Sequence, residues 1–448
     1  MTKQIATPYD YGKYKIIIIP ADGGRVDVSN ITFELSFFES LKDPFVSGTF
    51  VVIDSANVFN YVNFMGQEQV DIEVTDIYNS VKIKKTFAIT NIRKQEKTSD
   101  NASSYVVSFS DLHLYINEKK TFSKTYNGKP ESILQQISQE HLGKSVSIAS
   151  SSAQAPMRVI TPFDKSPLQN MMWLKNRCTT GIGAPFYLHA SLYNDNLQLI
   201  SLADLLGQGA FNREAFNYTS PNRTADTAYT RESFESLTYK IATMNFALNQ
   251  DAVLLMGKDT YGAHYNFIDT FQTKALEDHF DITVPLGSLP KPNGVQDYIP
   301  QLPGPLGDPL HIFPKSNSDY LSQIVTKKLF ENINSYNEER TLDKHMLKAK
   351  SKGVKEFVTK GIATFQMPGF AFLGKDLIGK QQIDVYIPKD LPIEEDRSKQ
   401  FVKDKKRSGK YVITNIRNMF KNSQHYVTVT GIKIDNDPQI SSEQFYKG

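Results

Sequence analysis

The pentapeptide Ile89-Thr90-Asn91-Ile92-Arg93 returns unchanged as Ile413-Thr414-Asn415-Ile416-Arg417, and this repeat constrains the fold more than any other feature. Five shared residues carry little weight alone; their flanks carry more. Gly66 opens a stretch reading Gly-x-x-Gln-apolar-Asp-apolar through Asp71 and Ile72, and Gly379 opens the same stretch through Asp384 and Val385. Eighteen residues before each of these stands another glycine, Gly48 and Gly361, each leading into a run rich in β-formers. Alternating segments follow each pentapeptide at 105–109 and 426–430. Four features in the same order predict a duplicated β unit. Its equivalent positions are Gly48 and Gly361, Gly66 and Gly379, Asp71 and Asp384, Asn91 and Asn415, Arg93 and Arg417. The offset of 324 residues between the pentapeptides is far longer than a solenoid period of roughly 20–50 residues.

A chain of 448 residues is long enough for several domains, each with its own core. No apolar run approaches the ~20 residues that span a bilayer, and the opening Met-Thr-Lys-Gln-Ile-Ala-Thr-Pro lacks the apolar centre of a secretory leader. The single cysteine, Cys178, excludes an intramolecular disulfide and a cysteine-only metal site, and fits a reducing compartment. A net charge of +3 is too small to make the whole chain a nucleic-acid binder.

Periodicity places the elements. Residues 1–113 read as short strands with polar turns, Ile31, Phe33, Leu35 and Phe37 sharing one face, and a short helix near Val58, Phe59, Val62 and Phe64. From 114 to 232 the chain reads as an α+β insert. Pro130 begins one helix, which Gly143 ends, and Ser166-Pro167 begins another. Segments 186–192 and 197–202 form a hairpin. Residues 233–246 and 252–256 read as strands that complete a second β unit made of 233–257 plus 351–436. Between them, 258–350 holds a Pro-rich stretch (285–314) and a long helix predicted over 316–350. Residues 437–448 are a polar tail. The expected fold class is β-rich α+β: two homologous antiparallel β tube domains (partial barrels) with inserted α+β domains and a long helix.

Catalytic patterns are missing. The eight histidines are scattered, none with the His-x-x-x-His spacing of a helical metal site. Gly181-Ile182-Gly183 follows a helix where a dinucleotide fingerprint follows a strand, so it reads as a helix stop. Cys178 falls on the apolar stripe of a helix and reads as core. Asp71 and Asp384 hold the same place in two units, which argues for a shared structural role rather than an acid–base pair. Two basic stretches remain, at 344–360 and 397–410. Without interleaved aromatics they do not form a base-stacking platform.

Three stretches carry a resemblance. They are 45–54 with 66–74, the helix start Ser166-Pro167-Leu168-Gln169-Asn170-Met171-Met172-Trp173, and 379–388 with 408–417. In these the chain resembles the central baseplate hub proteins of T-even-like contractile-tailed phages, which belong with the hub half of injection-machine spike proteins. The resemblance implies a structural virion protein of the tail baseplate, assembled in the host cytoplasm, with no cofactor and no enzymatic activity. It implies a homotrimer whose six tube domains form a ring between a threefold central spike and the sixfold tail tube. The spike partner would be the one to carry any lysozyme activity. Other baseplate proteins would bind outside, DNA would pass through the lumen without sequence-specific contact, and no segment would enter a membrane. Lys403, Lys405, Lys406 and Arg407 are then candidate lumen or partner contacts. Two alternatives stay open: the hub of a bacterial contractile injection system, and a cell-wall hydrolase, for which no carboxylate pair or metal cluster is visible.

Overall fold

In the computed structural model the residues described are 7–218 (apart from 56, 63, 100, 101 and 155), 234–248, 262–269, 274–281, 289, 319–324, 347, 350–356, 358, 361–388, 403, 404 and 407–433. Alternating apolar and polar residues give each strand one face to bury. The first part of the chain supplies β1 (Tyr14–Ile19), β2 (Thr32–Ser40), β3 (Ser47–Asp54), β4 (Gln69–Thr75), β5 (Val81–Ser99) and β6 (Ala102–Asp111). The middle supplies helices α1 (Leu112–Glu118), α2 (Pro130–Ile137) and α3 (Pro167–Lys175), and the hairpin β7 (Phe186–Ser191) and β8 (Asn194–Ser201). The last part supplies β9 (Phe216–Tyr218), β10 (Thr243–Leu248), β11 (Gly361–Pro368), β12 (Gln382–Tyr386), β13 (Gly409–Lys421) and β14 (Gln424–Ile432).

The sheet orders match. The first set lies as β2-β3-β6-β5-β4-β1 and the second as β10-β11-β14-β13-β12-β9. They differ at one end, where β1 is antiparallel to β4 but β9 is parallel to β12. A pairing of β2 with β13 joins both sets, with the short strands Val26–Asp27 and Lys240–Ile241, into one 14-stranded sheet. The protein is thus β-rich, built on a large antiparallel sheet with few helices.

Register makes the likeness quantitative. Asp71 stands opposite Thr86, and Asp384 opposite Lys410. Both long strands are bulged at the same place, between Ile89 and Asn91 and between Ile413 and Asn415. Counting across from there gives Ile89–Phe109–Gly48–Phe37 in one set and Ile413–Gly431–Ala363–Phe246 in the other. The register counterpart of Gly48 is therefore Ala363, with Gly361 two residues earlier. The reason is packing. A Cβ on Gly48 would fall 2.2 Å from Phe109 Cζ, whereas one on Gly431 would meet Tyr411 Cβ at 3.0 Å. The large and small partners have changed strands. The same count superposes Phe50 on Phe365 and Phe87 on Tyr411, all fully buried.

The insert is wedged against both sets. Every residue of β7 is buried. Phe186, Leu188 and Ala190 face the core of the first set, while Tyr187 faces the core of the second. Ser166 stands at the N-cap of α3 and its backbone N–H donates to Gln169 Oε1 at 3.2 Å, Pro167 sits at the first helical position, and Gly143 takes φ +64° at the end of the turn after α2.

Three local expectations fail. A register shift between Thr32 and Glu34 turns Phe33 away from Leu35 and Phe37, leaving it exposed beneath the Lys421 ammonium. Phe234–Thr238 is a short helix rather than strand. The long helix over 316–350 is contradicted at its start, because Asp319–Ile324 is a strand parallel to Gly262–Asp269, itself half of a hairpin with Lys274–Asp281. Tyr320, Leu321 and Ile324 fit either period over six residues, and the hairpin supplies the backbone partners that decide it. A helical stretch does occur at 350–356, and Val354 is buried in the second core. Residues 325–346 and the Pro-rich stretch except Leu289 lie outside the described residues. No helix among the described residues is long and apolar enough to cross a membrane.

Candidate functional site: the open strand edges

The most informative surface is the seam between β2 and β13. It runs antiparallel from Asn415 opposite Ser40 to Lys421 opposite Glu34. Charges clasp it. Arg417 reaches Glu34 at 3.1 Å and Ser36 Oγ at 3.2 Å, Lys421 reaches the other Glu34 oxygen at 3.4 Å, and the Arg417 guanidinium lies over the Phe38 ring. Arg417, the last residue of the repeated pentapeptide, thus works at a junction between the two strand sets.

The counterparts of these two strands end openly. Beyond Ala88, β5 pairs only with β6, so from Asn91 onward its other side has no strand among the described residues. The counterpart of β2 is β10, which among the described residues pairs only with β11. Each open edge is a template for another chain. Asn91 and Arg93 are exposed on β5, and Thr243, Asn245 and Ala247 are exposed on β10.

One face of the sheet is accessible, and it carries many hydroxyl and amide groups beside partly exposed Val51, Val106 and Ile362. Ser47, Thr49, Ser108, Thr364, Gln366, Thr428 and Thr430 are partly exposed there, while Phe50, Val107, Phe365 and Val429, between them in sequence, are buried. The Thr364 and Thr430 hydroxyls meet at 3.4 Å across neighbouring strands.

Beneath the seam lies a buried polar junction. Glu39 on β2 is 3% exposed and accepts a hydrogen bond from Leu192 N at 2.8 Å. Nearby, Lys85 bonds Asp111 at 2.9 Å, and Ser191 Oγ donates to Asp376 at 2.6 Å. Burial pushes the Glu39 carboxyl from 4.5 up to about 7; Leu192 N–H opposes the shift, Asp376 and Asp111 add to it, and Lys85 opposes it. The folded chain therefore binds this proton more tightly than the unfolded chain. Its contribution to stability is full below pH 4.5 and falls as pH rises to about 7. Glu39→Gln should remove that decline and stabilise the protein above neutrality by about 2–3 kcal/mol. Urea unfolding at a series of pH values checks this; an unchanged pH slope would show that Glu39 is not its source.

The other expected positions fall at turns, strand pairings and ion pairs, or outside the described residues. Gly66 and Gly379 take φ +88° and +70°, as tight turns before a strand require. Asp71 accepts from Arg25 and Thr86, while the Asp384 backbone N–H donates to Asn212 Oδ1. The two aspartates share a register but not a partner, and nothing brings them together. Arg407 is paired with Asp404, and its carbonyl accepts from the Tyr411 hydroxyl. Lys403 lies in a bridge to Pro388, and Lys405 and Lys406 are outside the described residues. Cys178 is fully buried. No group of three or more metal-ligating side chains occurs among the described residues. A cleft of about 740 Å³ between the first strand set and the insert mixes Lys15, Arg25, Lys84, Lys85 and Lys144 with Asp71, Glu73, Asp111 and Asp195. Its charges largely neutralise one another.

Sequence reasoning expects open strand edges in each β unit, completed by neighbours, but does not say which strands carry them. The signal was present in the repeat: Arg417 needs an acid, and the strand 383 residues upstream supplies it.

No protein-family model matches the chain, and no curated protein does. Solved structures do. A tail protein from Neisseria meningitidis MC58 aligns with a TM-score of 0.51 at 11% identity, over 95% of this chain and 98% of that one. The 43 kDa tail protein of prophage MuSo2 from Shewanella oneidensis aligns with 0.48 at 9% identity, over 93% and 97%. An E. coli component of the type VI secretion system, described as structurally similar to T4 tail proteins gp27 and gp5, aligns with 0.42 at 8%, over 90% and 74%. The chain shares the fold of the Neisseria tail protein over 95% of its length.

Proposed function

We propose that this chain is a structural hub of a phage tail baseplate or a related injection machine, in which three copies close into a ring. The observation that carries the reading is the in-chain seam together with the two open edges that are its counterparts. If β10 of one copy pairs with β5 of the next as β2 pairs with β13, each copy adds two similar segments, and three copies present six. Such a ring joins a threefold spike to a sixfold tube. The hydroxyl-rich face lines its channel, where hydrogen-bonding groups with few free charges let DNA pass without holding it. The shared fold with a tail protein supports this, as do the missing catalytic patterns. Homotrimer, spike, tube and DNA passage all belong to the proposal, as does the division into tube domains at 1–113 and at 233–257 plus 351–436.

Light scattering with negative-stain imaging tests it. Three chains of 50.6 kDa give a ring of about 150 kDa with a central hole. A monomer at every concentration, also with a spike protein present, would sink the proposal. The edge is tested by Phe246→Pro and Ala247→Pro. Successive N–H groups on a strand point to opposite sides, so one of these removes an outward donor; Phe246→Leu controls for loss of the Phe246 ring, which packs against the second core. The proline variant that removes the outward donor should stay folded and become monomeric.

A further inference from the structure

The two kinds of seam in such a ring are not equal. This inference rests on the ring proposed above and concerns its strength at one place. Within the chain, Glu34 of β2 binds both cations that β13 offers, Arg417 and Lys421. By register the counterpart of Arg417 on β5 is Arg93, and Lys97, shifted by a bulge after Lys94, stands one place off the counterpart of Lys421. The arginine is repeated. The acid is not. Register across the sheet runs Arg93–Val106–Val51–Glu34 in the first set and Arg417–Thr428–Gln366–Thr243 in the second. Thr243 therefore stands where Glu34 stood, and its hydroxyl is 3.1 Å from Gln366 Oε1. Its exposed neighbours on β10, Asn245 and Ala247, are also uncharged. Arg93 is exposed and has no ion-pair partner among the described residues.

We infer that the copy-to-copy seam, β10 against β5 of a second copy, lacks the ionic clasp of the in-chain seam, and that the ring parts there. Backbone pairing and the neutral side chains hold it, so it is the weaker and less salt-sensitive of the two. The Arg93 side chain then meets Thr243, Asn245 and Ala247 of the adjoining copy in place of a carboxylate.

Restoring the acid tests the inference. Thr243→Glu is the register equivalent, and Asn245→Glu covers a slip of two residues. The readout is the concentration at which the assembly half-dissociates, by light scattering on the full chain at low and high salt. At low salt, at least one variant should lower that concentration by roughly threefold per seam, as a partly exposed ion pair does. Added salt should erase the gain, and so should Arg93→Gln combined with Lys97→Gln. Two results would overturn the inference while leaving the ring intact: trimers whose dissociation neither glutamate changes, or a gain that survives removal of both cations. A wild-type chain that never trimerises would overturn the ring itself. Each variant's far-ultraviolet circular dichroism, matched to wild type, separates altered assembly from altered folding.

Discussion

Asp111→Ala is expected to destabilise the folded chain by about 3–5 kcal/mol, because it strands a buried cation. Asp111 is 2% exposed. One carboxylate oxygen binds Lys85 Nζ at 2.9 Å and the other accepts from Val46 N at 2.7 Å. The Lys85 side chain is only 12% exposed, so water cannot replace the lost partner cheaply. Asp111→Asn can keep a hydrogen bond to Val46 and should fall between wild type and alanine. Adding Lys85→Met to Asp111→Ala should recover part of the loss, since the stranded charge goes with it. Urea denaturation of the three variants measures the order. Equal stability of Asp111→Ala and wild type would show that the pair contributes nothing.

Gly48→Ala should be nearly as damaging, at about 3 kcal/mol, although it adds a single methyl group. The new carbon would lie 2.2 Å from Phe109 Cζ and 2.4 Å from the Ser36 carbonyl oxygen. The ring is locked among Phe37, Phe50 and Phe87, and the carbonyl belongs to the backbone of β2, so neither can withdraw easily. Adding Phe109→Leu should relieve the ring contact but not the carbonyl contact. A calorimetric melt of Gly48→Ala within about 2 °C of wild type would refute the crowding argument.

These two sites also mark what the sequence made legible. Local chemistry was readable. Ser166 with Pro167 declared a helix start, Gly143 a helix end, and the 193–196 turn a hairpin. The repeated pentapeptide correctly announced two matching strands. Gly48 announced a glycine-dependent place but not its partner, because the clash with Phe109 lies across a strand pairing 61 residues apart. For the same reason the pairing of Gly48 with Gly361 came out two residues from the register. The bulge that exposes Phe33 depends on how β2 meets β3, which alternation alone does not encode. The strand at Asp319–Ile324 was lost to a period shared by helix and strand. The candidate site was the least legible part. An open edge is a property of which strands meet, and the contact that reveals it, Arg417 with Glu34, spans nearly the whole chain.

That span has a consequence in time. Glu34 and Arg417 are 383 residues apart, and ribosomes add roughly 5–20 residues per second. The edge of β2 therefore waits some tens of seconds, about 20–80 s, before its own β13 exists. On a polysome, finished first strand sets of neighbouring chains stand close by, and each offers Arg93 on an open β5. Glu34 meets there the same cation it will later find in Arg417. Order of synthesis, rather than strength of contact, then decides which partner β2 takes. An early capture would link nascent chains head to tail before any has made the strand it needs.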